Sequence, residues 1–344
     1  MTQHKKLLYI GNKLAVHGKA PTTADTLPPL LEKEGYNVIV ASSKHNRFLR
    51  LLDIMRTLCR SRDKLDIVLI DVYSTWNFYY AVVIARMCSI FHLPYIPILH
   101  GGNLPKRLKE NKRLSQKLFS RAKMNVAPSK FILQAFQNEG YDNLVYIPNN
   151  LQLDHYPFKQ REEVLPRLLW VRAFAGIYNP LLAVEAVELL KKEGYPVELC
   201  MVGPEKDGSM KRCLDIAAQL HLPIRFTGYL SKMDWISLSK DYDIFISTTN
   251  FDNMPVSIME AMALGFPVIS TDVGGMPFLI DSESNGILVP SNSAQEFAAA
   301  IIRLCEDKLL TKNISSNARK DIEQFDWHEI KIRWHRLLDD CHKN

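Results

Sequence analysis

No run in this 344-residue chain approaches the ~20 consecutive apolar residues of a membrane-spanning helix. Cysteine is sparse and dispersed. Cys59, Cys88, Cys200, Cys213, Cys305 and Cys341 never fall in C-x-x-C spacing, so neither a zinc site nor a disulfide framework is expected, and the thiols read as reduced. A G-x-G-x-x-G fingerprint is also missing, which argues against a dinucleotide cofactor and with it a dehydrogenase. No short repeat period appears. The beginning, Met1–Gly11, is basic, but its apolar stretch is too short for a signal peptide and reads as a first β-strand entering a loop. The expectation is a cytoplasmic protein.

What is present is a regular alternation. Strand-like runs at 7–11, 37–41, 66–72, 95–100, 124–128 and 144–148 are interleaved with helical stretches at 26–34, 77–89 and 131–139. A polar, proline-containing stretch at 149–166 interrupts the pattern. A second series follows, with strands at 167–172, 197–203, 224–228, 243–248, 267–271 and 286–289 and helices at 180–193, 209–220, 232–240, 255–264 and 294–306. Such alternation predicts two doubly wound α/β domains, 1–158 and 159–325, with 326–344 as a closing segment. Ligands of such sheets lie outside the carboxyl ends of the strands.

Charge separates the halves. Residues 1–150 hold 22 Lys and Arg against 10 Asp and Glu, a net +12, and the remainder carries −6. The excess gathers at 44–64 and 104–123, where cations interleave with apolar residues. Basic amphipathic helices suit an anionic membrane surface, so a peripheral position on its cytoplasmic face is one expectation. A solvated helix face accounts for the same pattern. Nucleic acid fits less well, because no recognised binding module accompanies the charge.

The most distinctive stretch runs from Asn250 to Ser270. Asp252 falls in a loop, Pro255 suits the first turn of a helix, Gly265 suits its end, and Pro-Val-Ile-Ser reads as a buried strand. Glu260 sits eight positions after Asp252 and tilts back toward the helix start. Unbonded N–H groups of that first turn favour an anion.

This segment resembles the donor-binding signature of the family 4 retaining glycosyltransferases (glycosyltransferase group 1, GT-B fold). Their pattern is a Glu, seven residues, a second Glu, then Ala-Met-Ala-x-Gly-x-Pro-Val-Ile. Glu260, Ala261, Met262, Ala263, Gly265, Pro267 and Val268 match, and Asp252 stands one methylene short of the first Glu. The resemblance implies two facing Rossmann-like domains with an interdomain cleft. It also implies a nucleotide-diphosphate sugar donor (UDP or GDP unresolved), no metal and no further cofactor. The acceptor would be a glycan or a polyprenyl-lipid-linked glycan, as in envelope polysaccharide assembly.

Residue by residue, the resemblance assigns Glu260 to the ribose hydroxyls and Asp252 to the sugar. Arg172, at the end of Leu168-Leu169-Trp170-Val171, would clamp the diphosphate together with the backbone around Asn253, Met254, Pro255 and Val256. Gly203 would lie beside the nucleoside, and Gly228 and Tyr229 would hold the base. From the first domain, His100 with Gly101 and Gly102 would complete the sugar pocket; Gly11-Asn12-Lys13 and His17-Gly18-Lys19 are further candidates to line the cleft. The family's Lys shortly after the Arg is absent from Gly176–Pro180. Asp241-Tyr242-Asp243 invites a metal reading, but its place before a strand argues against one. A nucleotide-sugar epimerase, or a non-catalytic nucleotide-sugar-binding protein, would carry a similar pattern.

Overall fold

A computed structural model describes residues 5–13, 22–44 and 46–341, so the candidates His17, Gly18 and Lys19 lie outside the described residues. Contacts divide the chain into two units. One runs to Pro148 and takes in the segment from His328 onward; the other is Asn149–Trp327.

The first unit proceeds through β1 (Lys6–Ile10), α1 (Thr23–Lys33), β2 (Asn37–Ala41), α2 (Arg47–Ser61), β3 (Ile67–Val72) and α3 (Asn77–Ile90). It continues with β4 (Tyr95–Leu99), α4 (Leu104–Glu110), α5 (Lys112–Phe119), β5 (Asn125–Ala127), α6 (Lys130–Asn138) and β6 (Leu144–Tyr146). Its six strands are all parallel, in the order β2-β1-β3-β4-β5-β6. Every residue of β3 and β4 is buried, as a parallel sheet covered on both faces requires. The order reverses between β1 and β3, which opens a crevice at their carboxyl ends.

In the second unit come β7 (Arg167–Val171), α7 (Pro180–Lys192), β8 (Glu198–Val202), α8 (Ser209–Gln219), β9 (Ile224–Gly228) and α9 (Lys232–Leu238). Then follow β10 (Ile244–Ser247), α10 (Val256–Ala263), β11 (Val268–Thr271), β12 (Ile287–Val289), α11 (Ala294–Glu306) and α12 (Lys308–Glu323). The strands are again parallel, ordered β12-β11-β10-β7-β8-β9. This is the dinucleotide-fold order, with its switch point between β7 and β10. The chain lacks that fold's glycine fingerprint but keeps its topology.

One boundary and one helix differ from the sequence expectation. Residues 149–158, expected with the first domain, fold with the second unit. Leu151 donates its N–H to Phe325 O at 2.9 Å and accepts from Trp327 N at 2.8 Å, and both Leu151 and Tyr156 are buried. The segment looks like a linker because polar neighbours hide these two anchors. Helix α12 has no counterpart in the sequence reading. Its overall polarity masks a stripe of Thr311, Ile314, Ser315, Ala318 and Ile322 at three- and four-residue spacing, all buried.

The last helix, α13 (Trp327–Asp340), contributes buried Trp334, Leu337 and Leu338. From His328 onward the chain belongs to the first unit. Tyr36 Oη meets His335 Nδ1 at 2.9 Å, and Lys331 pairs with Glu34 at 3.2 Å.

Asp243 lies just before β10. Its buried carboxylate accepts from Arg167 Nε at 2.7 Å and from Leu165 N at 3.2 Å, binding the starts of β7 and β10 together. This is a structural post at the end of the sheet opposite the crevice. Replacing it with Ala strands a backbone N–H and a guanidinium. The expected cost is about 2 kcal/mol, measured as a lowered urea midpoint; an unchanged midpoint would remove Asp243 from the account of the fold.

Candidate functional site

At the switch point of the second unit, the chain leaves β7 toward β8 and leaves β10 toward β11. The two connections therefore diverge and open a crevice at the strands' carboxyl ends. Arg172 directly follows β7, and the loop bearing Asp252 follows β10. Backbone and side-chain bonds tie the two loops. Asn250 N donates to Ile177 O at 2.8 Å, and Thr248 Oγ1 donates to Tyr178 O at 3.0 Å while accepting Trp170 Nε1 at 3.1 Å.

The guanidinium of Arg172 forms a hydrogen-bonded ion pair with Asp252, Nη2 to Oδ2. Its face lies 4.4 Å from the Tyr178 ring centroid, a cation–π contact. The other Asp252 oxygen accepts Asn253 N at 2.8 Å. Both side chains stay partly exposed.

Two glycines make this approach possible. A Cβ on Gly203 would sit 1.7 Å from Arg172 O, and Gly203 has φ +152°. A Cβ on Gly275 would sit 1.6 Å from Asn253 O, while Gly275 N donates to Asp252 O at 2.9 Å. The end of β8 and the turn after β11 are thus pressed directly onto the backbone that carries Arg172 and Asp252.

Pro255 is the N-cap of α10, in extended conformation, and the helix begins one residue later than the proline. Its carbonyl accepts Ile258 N and Met259 N. No side chain caps this end, so the first-turn N–H groups of Val256 and Ser257 have no partner among the described residues. Asn253 and Met254 are buried beside it, and Asn149 Nδ2 donates to Met254 O at 3.4 Å.

Glu260 is 5% exposed and faces two groups absent from the sequence reading. Its Oε1 accepts Tyr156 Oη at 2.7 Å and forms an ion pair with Lys232 Nζ at 2.8 Å. Burial first, and then the charge and hydrogen bond of Glu260, push the Tyr156 hydroxyl far above its ordinary range, so it remains a donor. Both contacts use Oε1, leaving Oε2 open among the described residues. No sequence signal marked Tyr156, which lies in the apparent linker. Lys232 opens α9 behind the N-cap Ser231, three positions beyond Tyr229.

Gly228 closes β9 with φ +71°, and its carbonyl accepts Gly203 N at 2.8 Å; Tyr229 beside it is half-exposed. The Glu205 carboxylate is consumed locally. It accepts five backbone N–H groups from Lys206, Asp207, Gly208, Met210 and Lys211 at the start of α8. Where the family places its Lys, Gly176 N donates to Asp207 Oδ2 at 2.7 Å and Asn179 adopts φ +44°, so a tight polar turn fills the stretch.

His100, Gly101 and Gly102 belong to the first unit, just past β4. His100 Nε2 meets Asp71 Oδ1 at 2.9 Å, and the ring stacks on Tyr73 at 5.4 Å. Tyr9 Oη donates to the same Asp71 oxygen. Burial and then Asp71 raise the Tyr9 hydroxyl well above its usual range, so it holds its proton. Asp71 Oδ2 is buried with no partner among the described residues. Gly101 is needed because a Cβ there would lie 2.5 Å from Ser74 N. Gly11 and Asn12 follow β1, and Asn12 Oδ1 accepts Arg50 Nη1 at 2.7 Å.

Residues 156–321 match the family model described as glycosyl transferases group 1. The chain is 23% identical over 269 residues to the amylovoran biosynthesis glycosyltransferase AmsK of Erwinia amylovora, covering 73% of this chain and 66% of that protein. It is 25% identical over 195 residues to the N,N'-diacetylbacillosaminyl-diphospho-undecaprenol alpha-1,3-N-acetylgalactosaminyltransferase of Campylobacter jejuni, covering 57% of this chain and 48% of that one. The matched stretches thus span 66% or less of these relatives. In structure the chain is similar to Anabaena Alr3699/HepE, solved in complex with UDP. The TM-score is 0.77 at 20% identity, covering 98% of this chain and 100% of that one. The shared fold is GT-B, built from two Rossmann-like units.

Gly203→Ala is expected to destabilise the protein by about 3 kcal/mol, because both the backbone conformation and Arg172 O oppose a side chain. Tyr156→Phe removes one donor from Glu260 and is expected to cost about 1 kcal/mol. Urea unfolding followed by tryptophan fluorescence measures both, and a smaller loss for Gly203→Ala than for Tyr156→Phe would contradict the packing described.

Proposed function

We propose that this chain, whose residues 156–321 match the glycosyl transferases group 1 model, moves a sugar from a nucleotide-diphosphate sugar to a glycan or lipid-linked acceptor. The transfer proceeds with retention of configuration and without a metal ion. One observation carries the reading: Arg172, Asp252 and the uncapped start of α10 meet at the topological switch of the second unit.

The chemistry follows from what each group offers. Glu260 keeps Oε1 on Tyr156 and Lys232, and Oε2 receives the ribose hydroxyls, an acceptor-only oxygen facing donors. The diphosphate lies against Arg172 and the N–H groups of Val256 and Ser257. Negative charge grows there as the sugar leaves, and fixed donors stabilise it without reorganising. Guanidinium has five donors and spends one on Asp252, so it serves the phosphate while still paired. Lys232, already at the site, offers a second cation in place of the one missing from Gly176–Pro180. Asp252 holds the sugar hydroxyls, and the departing phosphate takes the acceptor's proton. Gly228 and Tyr229 lie against the base.

Support for the metal-free step comes from Asp243, whose carboxylate is committed to Arg167 and Leu165. The acceptor class rests on relatives named for amylovoran biosynthesis and for a diphospho-undecaprenol substrate. On that reading the protein works on envelope polysaccharide, in the cytoplasm and at the face of the membrane that holds such acceptors.

The test is thermal stabilisation by UDP-, GDP- and ADP-sugars in EDTA. One nucleotide class is expected to raise the transition, and Glu260→Ala is expected to weaken binding by about 100-fold, the loss of a buried charged hydrogen-bond partner. No shift with any nucleotide would overturn the donor site. A donor that binds but is epimerised without acceptor would overturn transfer while keeping the site.

A further inference from the structure

Indole is the largest apolar side chain, and burial is its ordinary fate in a folded unit. Trp170, Trp235, Trp327 and Trp334 follow that rule, whereas Trp76 is 63% exposed. It is the N-cap of α3, in the turn that follows β3 at the carboxyl end of the first sheet. Ligands of open parallel sheets lie at that end. The turn is held from beside it, because a Cβ on Gly101 after β4 would lie 2.5 Å from Ser74 N.

A cation is built into the same place. The Trp76 ring leans on Tyr79, with centroids 5.6 Å apart, and the Arg107 guanidinium lies 5.4 Å from the Tyr79 centroid and 5.6 Å from that of Phe78. Arg107 is fixed as well as stacked. Its Nε donates to Ser74 O at 2.8 Å, and its Nη1 donates to Asn111 Oδ1 at 2.8 Å and to Tyr79 Oη at 3.4 Å. Those bonds spend the Nε and Nη1 hydrogens. Both N–H groups of Nη2 remain without a partner among the described residues.

A flat apolar surface beside a few fixed polar groups is the composition of a small-molecule site. A pyranose matches the indole, whose face takes the apolar C–H side of the ring. The guanidinium selects negative charge, since it is permanently cationic and its open nitrogen offers only donors. The one acid of α4 and α5, Glu110, lies against Lys106 at 3.6 Å, so these helices bring no free carboxylate to compete. A second copy packing along α3 is the rival occupant, because Val83 and Ile90 are also exposed at seven-residue intervals from Trp76. That helix carries Arg86 and no acid, so it supplies nothing for Arg107.

We propose that Trp76, Tyr79 and Arg107 form a subsite of the first unit for a glycosyl phosphate. The pyranose stacks on Trp76, and its phosphate meets Nη2 of Arg107. Indole and guanidinium rest on one tyrosine ring, so a single sugar with its phosphate reaches both. The inference rests on the lipid-linked acceptor class proposed above, whose sugar carries such a phosphate, and gives that end of the acceptor named side chains. It is read without any nucleotide, so a failed donor assay and a failed subsite assay are separate results.

The experiment is calorimetric titration of the full chain with glucose 1-phosphate, galactose 1-phosphate and N-acetylglucosamine 1-phosphate. The free sugars and inorganic phosphate are the controls. At least one sugar phosphate is expected to bind about tenfold more tightly than its free sugar or phosphate alone. Trp76→Ala is expected to weaken that binding about tenfold, and Trp76→Phe less than about threefold. Arg107→Gln is expected to cost about tenfold for the sugar phosphate and to leave the free sugar unchanged. In the wild type, the bound sugar phosphate is expected to shield the exposed Trp76 from acrylamide quenching. Circular dichroism checks folding, and the surface residue Trp76 carries the test should Arg107→Gln unfold. Three results overturn the proposal: no binding by any of the three, a Trp76→Ala variant that binds as well as the wild type, or unchanged quenching at saturation. If Trp76→Ala instead converts a dimer to a monomer by light scattering with sugar phosphate binding unchanged, the face belongs to a second copy.

Discussion

The parallel pairing of β7 with β10 is the constraint on which the second unit's site depends. These strands are distant in sequence, yet Leu168 and Leu169 register against Ile244 and Phe245. Because the chain departs from them in opposite directions, their following loops cannot cover each other's sheet end, and a crevice results. Asp243, pinned by Arg167 and Leu165, secures the pairing from below; Arg172 and Asp252 face each other above it. Gly203 and Gly275 let the adjoining turns close to backbone contact, which leaves Arg172 and Asp252 few alternative positions.

The two acids of the signature each already hold a cation. Arg172 is on Asp252, and Lys232 is on Glu260. Neither pair is a large source of stability, since Arg172 is partly exposed and Lys232 half-exposed, so solvent screens them. Their value is orientation. A buried carboxylate with one oxygen fixed by Tyr156 and Lys232 presents the other in a defined direction, and that lowers the ordering cost of accepting a ligand hydroxyl. The first unit uses the same device. Asp71 takes a hydrogen bond from Tyr9, engages His100, and holds the imidazole flat against Tyr73.

Charge is divided between the units as sharply as chemistry is. The excess of cations lies before residue 150, and the structure distributes it into two kinds of surface. Around α4 and α5 the leucines turn inward and the lysines outward, which is the usual arrangement of a solvated helix. Along α2 the inward stripe is satisfied by Ile54 and Leu58, so the remaining apolar residues have nowhere to pack within the unit.

The fold class was legible in the residues because period-2 and period-3.6 patterns are local, and every strand of both sheets coincides with an apolar run. So was the loop–helix–strand layout from Asp252 to Val268, since helix start, helix end and strand lie within one short segment. The sequence by itself also determined the charge asymmetry and the lack of a cation in Gly176–Pro180. It did not disclose α12, whose buried stripe is outnumbered by polar residues, or the anchors Leu151 and Tyr156 inside an apparent linker. Only the tertiary structure decided that Tyr156 and Lys232 meet Glu260, that Arg172 meets Asp252, and that Glu205 is spent on capping α8. It alone distinguished the apolar face of α2 from the buried leucines of α4 and α5. The physical reason is the same in each case. Partnership across a sheet depends on strand order, and exposure depends on what covers a face, and neither is encoded in the spacing of neighbouring residues.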